Sequence, residues 1–295
     1  MRDKAKLIDH LLKHFLFLNM SITVMITIAV VFFLGKESYG FFAEIPLVDF
    51  LFGKNWAPLL EPKSFGVLPL VCGTFIILIW SMLLAVPCGI LVATFLNEFA
   101  NNKVHAIIKP TLEILAGIPT VVYGYFALTW VTPFLKNLFP DLQMFNGISA
   151  AIVVAIMILP MVSSLCDDAF RSIPENLRSG AYALGATPFE VISRIVIPAA
   201  GSRVMAAIAL AMSRAIGETM AVTLAAGATP KFGLDPTGSI QTMTAYIVQV
   251  SLGDVPADGI EYKTCFAVAS LLFLITFTLN IFGSNVSPLK LKSKA

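Results

Sequence analysis

Charge is scarce in this chain. Of 295 residues only 13% are Asp, Glu, Lys or Arg, against roughly 25% in soluble domains, while 57% are hydrophobic. That balance excludes an ordinary soluble domain. Cysteine and histidine are few. Cys72, Cys88, Cys166 and Cys265 lack any metal or redox spacing, so packing is their reading. His10, His14 and His105 are scattered and read as surface residues. Paired carboxylates are missing from the apolar runs, and Asp167-Asp168 reads as the solvated end of a run rather than a metal site. A Gly-x-x-x-x-Gly-Lys-Ser/Thr phosphate cradle is absent, which argues against ATP hydrolysis by the chain itself. The net charge of +2 is too small to imply nucleic acid. No Ala-x-Ala pattern follows the basic Lys6–Lys13 flank, so no cleaved leader is expected. Internal repeats, low-complexity tracts and a soluble module are also missing.

What the chain has is length without charge. Phe15–Leu34, Val67–Leu96, Ile114–Leu135, Leu142–Cys166 and Thr264–Ser287 are charge-free and each reach the ~20 residues that span a bilayer. A sixth run, Val204–Gly227, is apolar except for Arg214 and Glu218. The expectation is an all-α membrane protein with six transmembrane helices. With the N-terminus inside, thirteen Lys and Arg fall on the cytoplasmic side and six outside, with Arg214 in the membrane completing the 20. The positive-inside bias then predicts both termini, and the loop between residues 166 and 203, in the cytoplasm.

The predicted outer segments are long. Gly35–Gly66, with Trp56 and three prolines, reads as a folded but irregular cap. Gly227–Lys263, rich in Gly and Pro, reads as a loop that binds something or is disordered. The second run is punctuated by Pro69, Gly73, Pro87 and Gly89, and the third by Gly117-Ile118-Pro119-Thr120 ahead of Tyr123. Pro119 cannot donate to a helix ladder, and a kink there either lines a solute path or is purely structural.

The inner loop has its own signals. Ser172-Ile173-Pro174-Glu175 suits a capping box, Leu177, Ala181 and Leu184 share a face, and Gly185 suits a left-handed stop. Thr187-Pro188-Phe189-Glu190 restarts a helix. A rigid two-helix knob results, or an amphipathic hairpin lying on the membrane. In the sixth run, Arg214 and Glu218 stand one turn apart on a predicted continuous helix, beside a lane of Ala207, Ala211, Gly217, Ala221 and Ala225. A charge at mid-bilayer costs at least ~2.5–3.5 kcal/mol and normally faces the bundle interior or water. Arg suits oxyanions, through two parallel hydrogen bonds from a planar fork. The alternative is that the two charges simply neutralise each other.

Ser179-Gly180-Ala181-Tyr182-Ala183-Leu184-Gly185, then Ile195-Val196-Ile197-Pro198, resembles the cytoplasmic loop of binding-protein-dependent ABC importers. That pattern is Glu-Ala-Ala, three residues, Gly, nine residues, Ile-x-Leu-Pro; here Ser179 and Gly180 replace Glu and Ala, and Ile197 replaces Leu. Further stretches resemble the phosphate-specific permeases, in particular the C-type (PstC) subunits. These are Arg214-Ala215-Ile216-Gly217-Glu218-Thr219, Ala116-Gly117-Ile118-Pro119-Thr120, Phe65-Gly66-Val67-Leu68-Pro69 and Ala183-Leu184-Gly185-Ala186-Thr187. The likeness covers nearly all of residues 65–285. It implies a type I ABC importer permease fold, with a segment 1–64 (first helix and outer loop), a permease domain 65–287 holding a coupling loop at about 171–198, and a tail 288–295. It implies the bacterial inner membrane and a lipid-embedded chain that binds no cofactor, ATP and Mg being used by a cytoplasmic ATPase dimer. Other implied partners are a homologous A-type permease and an extracytoplasmic phosphate-binding protein. Residue by residue, it places Ser179, Gly180, Ala181, Gly185, Ala186, Thr187, Ile195 and Pro198 in ATPase coupling, and Arg214 and Glu218 in an intramembrane charged pair. Pro119, Thr120 and Tyr123 are expected along the same pathway. A permease for sulfate, molybdate, nitrate or another small solute would keep the loop and change the anion site.

Overall fold

In the computed structural model, which describes residues 2–253, 255–256 and 259–285, the long apolar runs are helices. α1 (Arg2–Phe42) is followed by α2 (Leu47–Phe52) and a two-residue hairpin of β1 (Trp56–Ala57) and β2 (Ser64–Phe65). These make the cap expected of residues 35–66, and Phe41, Phe50 and Trp56 are buried in it. α3 (Leu68–Thr94) continues into a π turn at Phe95–Phe99. α4 (Asn102–Ala116), α5 (Thr120–Phe126), a π turn at Ala127–Val131 and α6 (Thr132–Lys136) come next, then α7 (Gly147–Arg171). Two short helices, α8 (Glu175–Ala183) and α9 (Pro188–Val191), lead through a π turn at Ile192–Val196 into α10 (Ile197–Ile216). α11 (Met220–Ala226), α12 (Met243–Leu252) and α13 (Ile260–Asn285) complete the described chain.

Among the described residues, five helical stretches are long and apolar enough to cross a membrane: His10–Phe42, Leu68–Phe99, Gly147–Arg171, Pro188–Ile216 and Ile260–Ile281. The sixth is a broken span, Lys103–Ala116 plus Thr120–Lys136, bent by 89°. The expected kink at Pro119 is therefore a full break: Pro119 is the residue before α5 and lacks the N–H that would continue α4. Tyr123 crosses the break, its hydroxyl donating to the Leu115 carbonyl at 2.8 Å.

The second run differs in the opposite sense. Despite Gly73, Pro87 and Gly89, α3 is continuous. A Cβ at Gly89 would sit 2.6 Å from Val162 Cγ1, and one at Gly73 would sit 2.3 Å from the Gln241 carbonyl oxygen. These glycines permit close approach to α7 and to the segment before α12 rather than interrupting the helix.

Packing has three centres. One joins the cap to Leu70, Met243, Tyr246 and Val268. The middle one joins Ile77, Tyr123, Ile158, Ile216 and Val222. The third gathers Ala93, Phe170, Ala181, Val191, Val196 and Ala207, so α8 and α9 pack against the ends of α3, α7 and α10. The segment 227–263 is not the open loop expected from its glycines: Ile240, Gln241, Met243 and Tyr246 are buried, and α12 packs into the core beneath the cap. α1 stands apart, its apolar face uncovered, held near its end by Ser38 Oγ donating to Phe266 O at 2.9 Å.

Candidate functional site: a two-helix knob and a broken charged span

The knob is built as its residues dictate, with two exceptions. Gly185 adopts φ +85°, in the left-handed region open to glycine. Thr187 and Glu190 form the capping box: the Thr187 hydroxyl accepts from the Glu190 N–H, and the Glu190 carboxylate accepts from the Thr187 N–H at 3.0 Å. The first exception is the start of α8. Pro174 precedes it with no side-chain cap, and the Ser172 hydroxyl donates back to Ala169 O at 2.6 Å, so no capping box forms there. Nor do the three apolar residues share a buried face. Ala181 is buried, whereas Leu177 is 49% exposed and Leu184 90%; Phe189, beyond the elbow, is 71% exposed. The knob thus presents an apolar tip, flanked by Ser179, Gly180, Ala186 and Thr187. Ile195 lies in the π turn and Pro198 in the first turn of α10, where the widened turn accommodates a residue that cannot donate.

Arg178, which the sequence reading passed over as one more cytoplasmic charge, anchors this knob. Its guanidinium pairs with Glu98, donates to Asn97 Oδ1 at 2.8 Å and donates to Phe170 O at 2.9 Å. Burial lowers its pKa from the ordinary value. Eighty residues separate the pair, so nothing local signals it. Nearby, Asp167 is not the solvated end that was expected. Its carboxylate is buried and accepts from Arg171 Nε at 3.1 and 3.2 Å, with Lys109 at 3.7 Å and His105 at 3.5 Å. His105 is therefore more than a surface residue; Asp168 alone is exposed.

The charged span is also corrected. Val204–Gly227 is not one helix: α10 ends at Ile216, and α11 starts at Met220 after a break at Gly217-Glu218-Thr219. Arg214 and Glu218 consequently do not share a helical face. Glu218 is buried, and its Oε1 accepts the Ala221 N–H at 3.1 Å, capping α11. Its carbonyl accepts from Thr244 Oγ1 at 3.0 Å. Arg214 is exposed in the last turn of α10, where the helix dipole favours a cation, and no ion pair to it is found among the described residues. The expected lane of small residues survives in part, with Ala207, Ala211, Ala221 and Ala225 buried on either side of the break.

The remaining pathway candidates divide. Tyr123 is buried in the same core as Ala215, Ile216 and Ala221, and α5 packs on α11 with Gly124 against Leu224. Pro119 is exposed and Thr120 half-buried at the other break. The two broken segments are thus neighbours. At the end of the bundle that carries the cap, Lys54, Trp56, Lys63, Lys231 and Phe232 line an open cleft.

Residues 85–289 match the model of the family described as binding-protein-dependent transport system inner membrane component. A probable ABC transporter permease protein, YqgH, of Bacillus subtilis is 34% identical over 258 residues, covering 87% of this chain and 83% of the relative. The phosphate transport system permease protein PstC of Mesorhizobium japonicum is 34% identical over 251 residues, covering 78% and 75%. Among solved structures, a bacterial alginate ABC transporter aligns with TM-score 0.57 at 17% identity, covering 90% of this chain and 93% of the other. The MetNI methionine ABC transporter aligns with TM-score 0.54 at 17% identity, covering 75% and 94%. The fold is that of a type I ABC importer permease. The chain belongs to the family of inner membrane components of binding-protein-dependent transport systems, as a multi-pass permease subunit whose ATPase is a separate chain.

Proposed function

We propose that this permease carries phosphate inward, as the C-type half of a pathway completed by a homologous A-type permease. A cytoplasmic ATPase dimer would drive it and an extracytoplasmic phosphate-binding protein would load it. The observation that carries the reading is Arg214: an exposed guanidinium, unpaired among the described residues, at a break in a membrane span. A guanidinium there offers a planar fork to a tetrahedral oxyanion. The phosphate-permease relatives support the same solute.

In this reading the ATPase grips the Leu184–Phe189 tip of the knob, and both termini lie in the cytoplasm. ATP-driven closure of the ATPase moves the knob and tilts the spans toward an outward-open state. The docked binding protein releases its anion, Arg214 holds it transiently as water is shed, and hydrolysis resets the inward state. The chain needs no cofactor of its own, and no bond to phosphorus is made or broken. The test is uptake of labelled phosphate by the reconstituted four-component complex, with sulfate, molybdate and nitrate as competitors. Phosphate uptake unaffected by the others is expected; uptake of another oxyanion in its place overturns the solute.

A further inference from the structure

The grip of α8 on the rest of the molecule is narrow: of its nine residues only Arg178 and Ala181 are buried. Ala181 makes a small apolar contact. Arg178 reaches the π turn after α3, through Glu98 and Asn97, and the end of α7, through the Phe170 carbonyl. Tyr182 adds a hydroxyl 3.5 Å from the second Glu98 oxygen. A guanidinium held by three acceptors has little freedom to swivel, so a displacement of α8 is passed on rather than absorbed.

What it is passed to is a single rod. Leu68–Phe99 spans 32 residues, about 48 Å at the helical rise of ~1.5 Å per residue. At the far end of that rod, Thr74 Oγ1 accepts the Met243 N–H at 3.1 Å, and Gly73 lies against the Gln241 carbonyl. One residue beyond Met243, Thr244 donates to the carbonyl of Glu218, inside the break beside Arg214. Every link from the coupling knob to the charged break is therefore a direct contact.

We propose that the Arg178–Glu98 pair is the joint that hands movement of the coupling knob to α3, and that α3 and α12 carry it to the α10–α11 break. Arg178, Glu98 and Thr74 are positioning residues: none needs to touch the solute. The proposal rests on the permease assignment and not on which solute crosses, and its test is accordingly independent of solute.

The assembled complex with its ATPase is labelled with paired nitroxides at two exposed outer positions, Leu138→Cys and Leu252→Cys, with Cys72 and Cys88 replaced by Ser. The distance between labels is measured without nucleotide and after trapping with ATP and vanadate. In the parent complex trapping shifts the distance. Glu98→Gln and Thr74→Val each reduce the shifted fraction by about five-fold or more, the scale of a modest coupling energy, while the ATPase remains bound. Their combination loses no more than the larger single effect, because both lie on one route. A parent distance that does not move, a Glu98→Gln complex that shifts normally, or losses that multiply in the double variant each overturn the route. Failure of Glu98→Gln to retain the ATPase also overturns it, since the pair would then belong to docking rather than transmission.

Discussion

Glu218 caps the helix that begins two residues after it: its Oε1 accepts the Ala221 N–H at 3.1 Å, while Arg214 lies on the preceding helix without that carboxylate as its partner. Two residues four positions apart, which one regular helix would place on a common face, are separated by a break between helices. The consequence is a division of labour, with the acid closing a helix end and the base left free.

Arg214→Ala should therefore remove a binding group without unbalancing a neighbour. A charged hydrogen-bond partner contributes about 1.5–3 kcal/mol, so phosphate uptake by reconstituted complexes should fall roughly tenfold or more at unchanged complex assembly. Arg214→Lys keeps the charge and loses the fork, and should sit between the two. Normal uptake by Arg214→Ala would make the residue structural.

At Glu218 the expectation follows the cap. Glu218→Gln retains an acceptor oxygen for the Ala221 N–H and should leave thermal stability of the complex nearly unchanged. Glu218→Ala leaves that N–H without its partner, a loss of about 1 kcal/mol. Equal melting points for the Ala and Gln variants would show that the cap contributes nothing.

Gly185 separates geometry from space. No atom lies within 4 Å of a Cβ added there, yet φ is +85°. Gly185→Ala and Gly185→Val should each strain the elbow by about 1–2 kcal/mol, Val more than Ala. Co-purification of the ATPase and ATP-dependent uptake should decline in that order. Normal docking by Gly185→Val would remove the knob from the coupling role.

Orientation is tested by labelling. The sequence reading places Asp254 outside and Arg178 inside, but Asp254 lies outside the described residues and Arg178 is buried. Leu234 and Leu184 are better reporters, at 83% and 90% exposure. An impermeant thiol reagent added to intact cells should modify Leu234→Cys and spare Leu184→Cys. The opposite pattern reverses the topology and detaches the knob from a cytosolic ATPase.

The sequence alone determined whatever depends on local composition and spacing. Charge-free length marks the spans because a bilayer admits little else. Gly185 and the Thr187–Glu190 box fix the elbow because their conformations are settled within four residues. Only the tertiary structure decided how interrupted segments resolve. Gly73, Pro87 and Gly89 read like breaks, yet α3 stays continuous because the glycines meet α7 and the Gln241 carbonyl at short range. Gly217 reads like part of a small-residue lane, yet the chain breaks there because the Thr244 hydroxyl and the Glu218 carboxylate satisfy the freed backbone groups. Asp167 reads as solvated until α4 brings His105 and Lys109 against it. Arg178 and Glu98, eighty residues apart, meet only because α8 folds back onto the end of α3. Helix formation and capping are near-neighbour physics and are written in the order of residues; burial, pairing and the site of a break depend on which distant group supplies the missing hydrogen bond.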